Sequence, residues 1–433
     1  MTLVNLLRAI ALFFLLSSPV LAQPLVNIRP LSKDPSRPVW FVKRDALPML
    51  DIAIVLPAGS VRDGDKPGLA SLTTYLLATA PGGDSEAAFA KKLARNGIKY
   101  NIDVQKDFVL WHFRSLSDQA SIEHLEQAIS ALLLKPDFKR MAYGRVKAQL
   151  AHIHHIHSLN PKDIVPVEIY KHLFQAQNYG HAAIVDKAAY DAINPKAVYD
   201  FYQKYYLRQN AKIAIVGAIS AQQAKEIAKR YQQGLKVPVS QAVLHVDKKQ
   251  RNQVRIITMP TTQANIVLAT YGYHANAKER IAMLLGNEML GGSYALGRLN
   301  NYMRQEMGYA YSISSFWWPL SFAGVYGVKM QVDKNKAHQA LQDLYYQVAR
   351  FAQFGPTATE FNQAKKALIA SYPMRFSSAK SLINTLSFLL AYDYPIDTIN
   401  DFPAKVEALD LKTVHRVMQN QLKGPWLTLI VGA

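Results

Sequence analysis

The densest group of metal-binding residue types in the chain is a run of histidines in the segment HIHHIH: His152, His154, His155 and His157. On a helix this run contains two pairs spaced three residues apart, and such pairs can bind zinc, nickel or copper. The alternative is a solvated helical face with Ile153 and Ile156 turned inward. No carboxylate lies close by in the sequence to complete a site. The sequence therefore favours the alternative over a metal site or a stand-alone metallopeptidase built on this run.

Composition excludes several other chemistries. The 433 residues include no cysteine, so disulfides, thiolate metal sites and a cysteine nucleophile are ruled out. The net charge of +19 comes from 50 Lys and Arg against 31 Asp and Glu. These basic residues are spread along the chain, without the basic run or motif that nucleic-acid binding proteins carry. We predict no nucleic-acid partner.

The first 22 residues predict a secretory signal peptide. Arg8 precedes a short apolar stretch, residues 10–16 (IALFFLL), and Val20 and Ala22 stand at the minus-three and minus-one positions of a cleavage site. The apolar stretch is short for a membrane span, which needs roughly 20 residues. We expect cleavage after Ala22, no transmembrane segment afterwards, and a periplasmic location.

The rest of the chain reads as two related halves. The segment KIAIVGA at residues 212–218 recurs as LTLIVGA at residues 427–433, each typical of a strand and its exit turn. The apolar strand around Ile54 likewise recurs around Ile266 at nearly the same offset, and each is followed by a helix. Matching offsets at both ends of the halves indicate an internal duplication.

Apolar periodicity predicts an α+β fold, with two homologous domains that each pack a mostly antiparallel sheet against helices. The domains are expected at residues 25–236 and 250–433, joined by a linker at residues 237–249. Strand-turn-strand is predicted over residues 99–113, with strands at 311–316 and 324–332. Helices are predicted at 121–134, 137–157, 195–206, 336–354 and 357–371.

The first half resembles the M16 (pitrilysin/insulinase-like, mitochondrial-processing-peptidase-like) zinc peptidases. The family's frame is present as A-G-S at residues 58–60, R-D at 62–63 and G-L-A at 68–70. The H-x-x-E-H motif that follows in active members is absent, because its first His, its Glu and its second His fall on Ser71, Thr74 and Tyr75. These hydroxyl side chains are poor zinc ligands, and none is a useful base at neutral pH.

The family's third zinc ligand is also missing. It is a Glu about 77 residues beyond the second His, and that spacing reaches the neighbourhood of His152. No Glu occurs between Glu126 and Glu168. All four functions of the zinc site are therefore lost together, and the chain is expected to bind no metal cofactor of its own.

The second half keeps its motif. L-G-G-S at residues 290–293, followed by R-L-N-N-Y-M-R-Q-E-M-G-Y-A-Y-S at 298–312, is similar to the family's substrate-contacting segment. The resemblance implies that Arg304 holds a peptide carbonyl or carboxylate and that Tyr311 donates to the developing oxyanion. It also implies that Gly291, Gly292 and Ser293 form a loop that approaches substrate.

These features predict the non-metal subunit of a peptidase pair, active only with a zinc-bearing M16 homologue that supplies the zinc and the general base. The implied substrate is an unfolded peptide. The rival hypothesis is a non-catalytic peptide-binding or assembly protein, a scaffold or homodimer that holds peptides without cutting them.

Overall fold

A computed structural model describes residues 24–175, 177–207, 210–234, 244, 246–247, 251–292 and 297–432. The predicted signal peptide, most of the predicted linker and Ser293 lie outside these residues. Among the residues described, no helix combines the length and the apolar character needed to cross a membrane.

Six strands form the first sheet, in the order β1-β2-β6-β3-β5-β4. Only the pair of β2 and β6 is parallel. The bounds are β1 Arg29–Pro30, β2 Val39–Lys43, β3 Met49–Leu56, β4 Lys99–Val104, β5 Val109–Leu116 and β6 Lys212–Gly217.

Five strands form the second sheet, in the order β7-β11-β8-β10-β9. Their bounds are β7 Gln253–Ile257, β8 Gln263–Tyr271, β9 Ala310–Pro319, β10 Gly324–Asp333 and β11 Leu427–Val431. Without β1, the first sheet has the same strand order and the same single parallel pair, at β7 and β11. The repeated segments at residues 212–218 and 427–433 contain β6 and β11. When β1 is left aside, each of these strands lies second from the same edge of its sheet.

The first half has eight helices among its described residues. Their bounds are α1 Leu69–Leu77, α2 Glu86–Arg95, α3 Gln119–Ile129, α4 Tyr143–Ser158, α5 Pro161–Phe174, α6 Lys187–Asp191, α7 Pro195–Tyr205 and α8 Ala221–Gln233. A π-helical turn, Ser130–Leu134, extends α3.

The second half has six helices among its described residues. Their bounds are α9 Arg280–Asn287, α10 Ala337–Phe354, α11 Ala358–Ser371, α12 Ala379–Ala391, α13 Thr398–Glu407 and α14 Leu411–Leu422. Two π-helical turns, Glu288–Gly292 and Asn300–Glu306, lie between α9 and β9.

Each half covers one face of the other half's sheet with a helix. Along β3, Ile52 and Ile54 face the helices of their own half, while Ala53 and Val55 pack in one cluster with Leu386 of α12. Alternate residues of a strand point to opposite faces, so this separation follows from the period of two.

The second sheet repeats the arrangement with α5 as the covering helix. Along β8, Ile266 and Leu268 face the second half's own core, while Val267 and Ala269 pack with Ile169 of α5. Both sheets are therefore buried on two faces, and one of those faces depends on the opposite half.

The fold class is confirmed, and the predicted strands match the observed ones closely. One helix differs, because α4 begins at Tyr143 instead of at residue 137. Asp137 accepts a hydrogen bond from the backbone N–H of Lys139 at 3.1 Å. This local turn competes with the helix, as short acidic side chains commonly do.

Candidate functional site

Helix α1 carries Ser71, Thr74 and Tyr75, the three residues that the resemblance aligns with the family's zinc motif. It follows Gly68, whose φ of +88° is in the left-handed region that favours glycine. Buried Asp63 caps the helix by accepting from the N–H groups of Gly68 at 2.8 Å and Ala70 at 2.7 Å. The G-L-A frame thus sets the start of the helix.

Ser71 and Thr74 are completely buried and use their hydroxyls internally. The Ser71 hydroxyl donates to the carbonyl of Ala183. Thr74 Oγ1 lies 2.6 Å from the carbonyl oxygen of Ala70 and 2.7 Å from the hydroxyl of Tyr206. These contacts place both hydroxyls inside the helix layer, away from any solvent-accessible reaction site.

Tyr75, the third residue that the resemblance aligns with the zinc motif, is half-buried on the same helix. Burial, with a smaller contribution from the negative charge of Asp103, raises the pKa of the Tyr75 phenol above its usual value. The phenol therefore stays protonated at neutral pH. It can act as a hydrogen-bond donor there but not as an anionic ligand.

A group of ionisable side chains surrounds the start of α1. Burial raises the pKa of Asp63 to about 7, against the lowering effect of its two backbone hydrogen bonds. His181 Nε2 lies 3.5 Å from an oxygen of Asp63. Burial, and then the positive charge of Lys106, lowers the pKa of His181 to about 4. His181 is therefore neutral at neutral pH.

Lys106 completes this group. Its ammonium donates to the carbonyls of Tyr179 and His181. Burial lowers the pKa of Lys106 to about 8, although Asp63 and Asp107 oppose this shift. The arrangement offers partly charged groups near neutral pH at the start of α1.

The histidine run lies on the last turns of α4, with His152, His155 and His157 exposed. His154 Nδ1 lies 3.3 Å from the carbonyl oxygen of Ile184. Within the described part of the chain, no three His, Asp or Glu side chains stand close enough to hold a metal ion. The inward orientation predicted for Ile156 is wrong, because its side chain is 50% exposed near the end of the helix.

Arg304 and Tyr311 lie in the second half and both are exposed. Arg304 is in the π-helical turn Asn300–Glu306. The backbone N–H of Tyr309 donates to the carbonyl of Met303 at 3.0 Å, where the chain passes from this turn into β9. Ala310 pairs with Val332 of β10 and Ser312 pairs with Gln331, and the register shifts between these two pairs. Tyr311 is the extra residue of this β-bulge.

The bulge determines how Tyr311 is presented. An extra residue bends the strand locally and redirects a side chain, and β-bulges are over-represented beside active sites. The Tyr311 side chain is 57% exposed. Its strand, β9, is an edge of the second sheet. The phenol is therefore accessible at an edge where another chain could add.

The glycine pair is packed against its own half. A Cβ on Gly291 would lie 2.8 Å from the backbone nitrogen of Ser315 in β9, so the close approach requires glycine. A Cβ on Gly292 would lie 2.8 to 3.0 Å from the carboxyl group of Glu288. Ser293 lies outside the described residues, and the loop's predicted contact with substrate stays a prediction.

Residues 192–368 match the family model described as the peptidase M16 inactive domain. A crystal structure of a peptidase M16 inactive domain from Pseudomonas fluorescens superposes with a TM-score of 0.85 and 25% identity. That similarity covers 94% of this chain and 98% of the other. This chain is similar to the M16 peptidases over most of its length. The resemblance seen in the sequence is confirmed.

Other similar proteins include one named as a non-peptidase and two named as proteases. Non-peptidase homolog YmxG of Helicobacter pylori is 22% identical over 397 residues, which cover 87% of each chain. An uncharacterized zinc protease of Streptomyces coelicolor is 23% identical over 203 residues, 45% of this chain and 44% of that protein. A protease from Helicobacter pylori shares the fold, with a TM-score of 0.83 and 14% identity over 94% of this chain and 99% of the other.

The ionisable residues of the first sheet were not among the residues predicted from the sequence. On β3, buried Asp51 accepts from His112 Nε2 at 2.7 Å and from Arg114 Nε at 2.8 Å. A usable signal was present, because alternation along β5 separates apolar Val109 and Trp111 from the polar face that carries His112 and Arg114.

Proposed function

We propose that this chain is the non-metal subunit of a two-subunit M16 zinc peptidase. In the proposed complex it binds unfolded peptide, and Arg304 and Tyr311 contact the substrate beside a zinc ion held by the partner. The proposal includes export of the chain to the periplasm. The observation that carries it is the placement of Tyr311 as the exposed extra residue of a β-bulge on an edge strand.

The proposed chemistry divides between the subunits. The partner supplies the zinc-bound water and the general base. A peptide can add to a sheet edge through backbone hydrogen bonds. The Arg304 guanidinium would orient a substrate carbonyl or carboxylate through its fork of donors, and the Tyr311 hydroxyl would donate to the oxyanion of the tetrahedral intermediate.

The test uses the full mature chain mixed with a zinc-bearing M16 homologue from the same organism. Light scattering measures association, elemental analysis measures zinc, and a quenched fluorescent peptide measures cleavage. We expect a 1:1 complex with one zinc. In this complex Tyr311→Phe should lower kcat about 100-fold, as loss of one oxyanion donor typically does, and Arg304→Ala should lower kcat/KM while association is retained.

Two control variants match the test positions. Tyr346→Phe removes a hydroxyl from a tyrosine that is also 57% exposed, and Gln305→Ala truncates the exposed neighbour of Arg304. Both should cleave like the wild type. Unchanged cleavage by the Arg304 and Tyr311 variants, or no association with the homologue, would contradict the proposal.

The second candidate is a non-catalytic peptide-binding or assembly protein. Its support is the complete burial of Ser71 and Thr74, together with the non-peptidase name of a relative that covers most of the chain. A zinc-free self-dimer that binds peptides but never supports cleavage would favour this reading.

A further inference from the structure

A cleft of about 880 Å³ lies between the two halves, bounded by β4 and β5 on one side and by α12 on the other. The hydroxyl of Tyr392, just beyond α12, donates to Asp107 at 3.2 Å, just before β5 begins. The C-terminal end of α12 therefore meets the start of β5. Just before α12, the carbonyl of Phe376 accepts from Arg44 at the other end of the sheet, so the helix runs back along β5 with Lys380 toward the end that carries Arg114.

One end of the cleft is cationic. Arg114 donates to buried Asp51 through Nε at 2.8 Å and Nη2 at 3.0 Å, and His112 shares the same carboxylate. Burial acts to raise the pKa of Asp51, but the hydrogen bonds from His112 and Arg114 outweigh it and hold that pKa below its usual value. Lys99 pairs with Arg114 across β4 and β5, and Lys380 also lines the cleft.

The other end is aromatic. Tyr170 of α5 and Trp318 of β9 stack with centroids 6.1 Å apart and planes 19° apart. The Phe388 ring on α12 is 38% exposed and lies 4.9 Å from the ring of Tyr392. The Lys106 ammonium sits 4.5 Å from the Tyr170 ring centroid. An apolar side chain placed here would contact ring faces and edges from three elements.

The basic side chains at the cationic end, Lys99, Arg114 and Lys380, outnumber the two carboxylates near them, Asp51 behind the cleft wall and Asp103 on it. Asp51 is already shared by His112 and Arg114. Asp103 accepts two hydrogen bonds, both 2.8 Å long, from the Gln105 amide. Lys99 and Lys380 are exposed at the cationic end. An anionic group there would meet several positive charges while leaving the Asp51 contacts intact.

We propose that this cleft binds an extended acidic peptide, with carboxylate side chains at Lys99, Arg114 and Lys380 and an aromatic side chain against Trp318 and Phe388. From its start to Arg114, β5 rises about 3.3 Å per residue, so the cleft suits a segment of about six residues. This inference rests on the proposed peptide-binding function and names the substrate class.

A peptide fits better than a single-stranded nucleic acid. Proteins that bind single strands without sequence preference follow the backbone with a positively charged groove. Here the exposed lysines gather at one end, and the ring wall formed by Tyr170 and Trp318 lies at the other. Separated charge and aromatic surface match a short peptide whose side chains differ along its length.

The test measures fluorescence anisotropy of labelled peptides on the full chain alone, without partner or zinc. The probe has one tryptophan and two glutamates separated by three glycine or serine residues, in both chain directions. Comparison peptides carry lysine for glutamate or alanine for tryptophan. We expect at least one acidic probe to bind, and Lys99→Glu with Lys380→Glu to weaken it about tenfold or more. Phe388→Ala should weaken only the tryptophan probes.

Lys225→Glu with Lys412→Glu is the matched control, because both lysines are exposed, lie outside the cleft lining and change the net charge equally. Equal weakening by the two double variants, equal binding of the lysine peptides, or tighter binding of oligothymidine would overturn the proposal. Melting curves verify that every variant is folded. Because partner-dependent cleavage is not measured, failure here is distinguishable from failure of the Arg304 and Tyr311 test.

Discussion

Ser71 and Thr74, which the resemblance aligns with two positions of the family's zinc motif, are part of the core. Both hydroxyls bond to groups of the protein interior, and Thr74 also satisfies the hydroxyl of fully buried Tyr206. A buried polar group without a partner costs stability, so this hydroxyl pair helps specify the packing of α1. At the residue scale, Ser71 and Thr74 act as structural contacts.

Restoring the acidic residue is therefore expected to harm the protein. Thr74→Glu would place a carboxyl group at a site with no solvent exposure, and we predict a loss of about 3 to 5 kcal/mol in the free energy of unfolding. Urea denaturation at pH 7 measures it. Thr74→Ser keeps the hydroxyl and should lose much less. A Thr74→Glu variant as stable as the wild type would show that α1 is less tightly packed than described.

His181 predicts a pH effect with a defined sign. Its pKa falls from the ordinary 6.5 to about 4 in the folded protein, so the unfolded chain binds more protons between these values. Stability contributed by neutral His181 is thus present above pH 6.5 and is lost as the pH falls toward 4. Asp63 acts oppositely, because its raised pKa of about 7 makes the folded state bind the extra proton.

Comparing wild type with His181→Gln isolates the histidine. From pH 7 to pH 4.5, the wild type should lose about 2 to 3 kcal/mol more stability than the variant, measured by urea denaturation at both values. His155→Gln, at an exposed position, should follow the wild type. If His181→Gln also follows the wild type, the folded-state pKa of His181 is not lowered.

At the scale of elements, strands were easier to predict than helices. β3 and β8 are strongly apolar runs, and β9 and β10 alternate between apolar and polar residues. The positions of these four strands therefore follow from the local sequence. The bulge at Tyr311 has no such signal, because its register depends on the partner strand β10. The exposed tyrosine was therefore predicted from a family motif, without its local geometry.

Local sequence also does not predict which sheet α5 and α12 cover. Their apolar residues, such as Ile169 and Leu386, indicate only that something must cover them. Which surface they cover is decided by contacts far along the chain, with β8 in one case and β3 in the other. The cleft is a product of the same packing, since α12 forms one of its walls.

At the scale of the whole molecule, the halves are interlocked by these two helices and by Asp107. This buried carboxylate accepts from Tyr179 of the first half and from Tyr392 and the N–H of Ser321 of the second half. Burial raises its pKa, although these hydrogen bonds lower it in part. Each sheet is thus covered by a helix of the opposite half, and a buried polar contact joins the two halves.

We predict that neither half folds stably alone. A fragment of residues 24–234 lacks α12 and exposes the apolar face with Ala53 and Val55, and a fragment of residues 251–432 lacks α5 and exposes Val267. Expressed separately, each should bind a hydrophobic dye and lack a cooperative melting transition. Expressed together, they should form a soluble 1:1 complex. Cooperative unfolding of either isolated fragment would contradict this.

The exchanged helices also bear on how such a chain can change over generations. A duplicated domain that has lost its chemistry is ordinarily free to be trimmed away or replaced by recombination. Here the first half lends α5 to the second sheet, and the second half lends α12 to the first. Deletion of the first half would remove the helix that covers the sheet of the half that carries Arg304 and Tyr311. We therefore expect the two halves to be retained together, because loss of either one would expose a sheet face of the other.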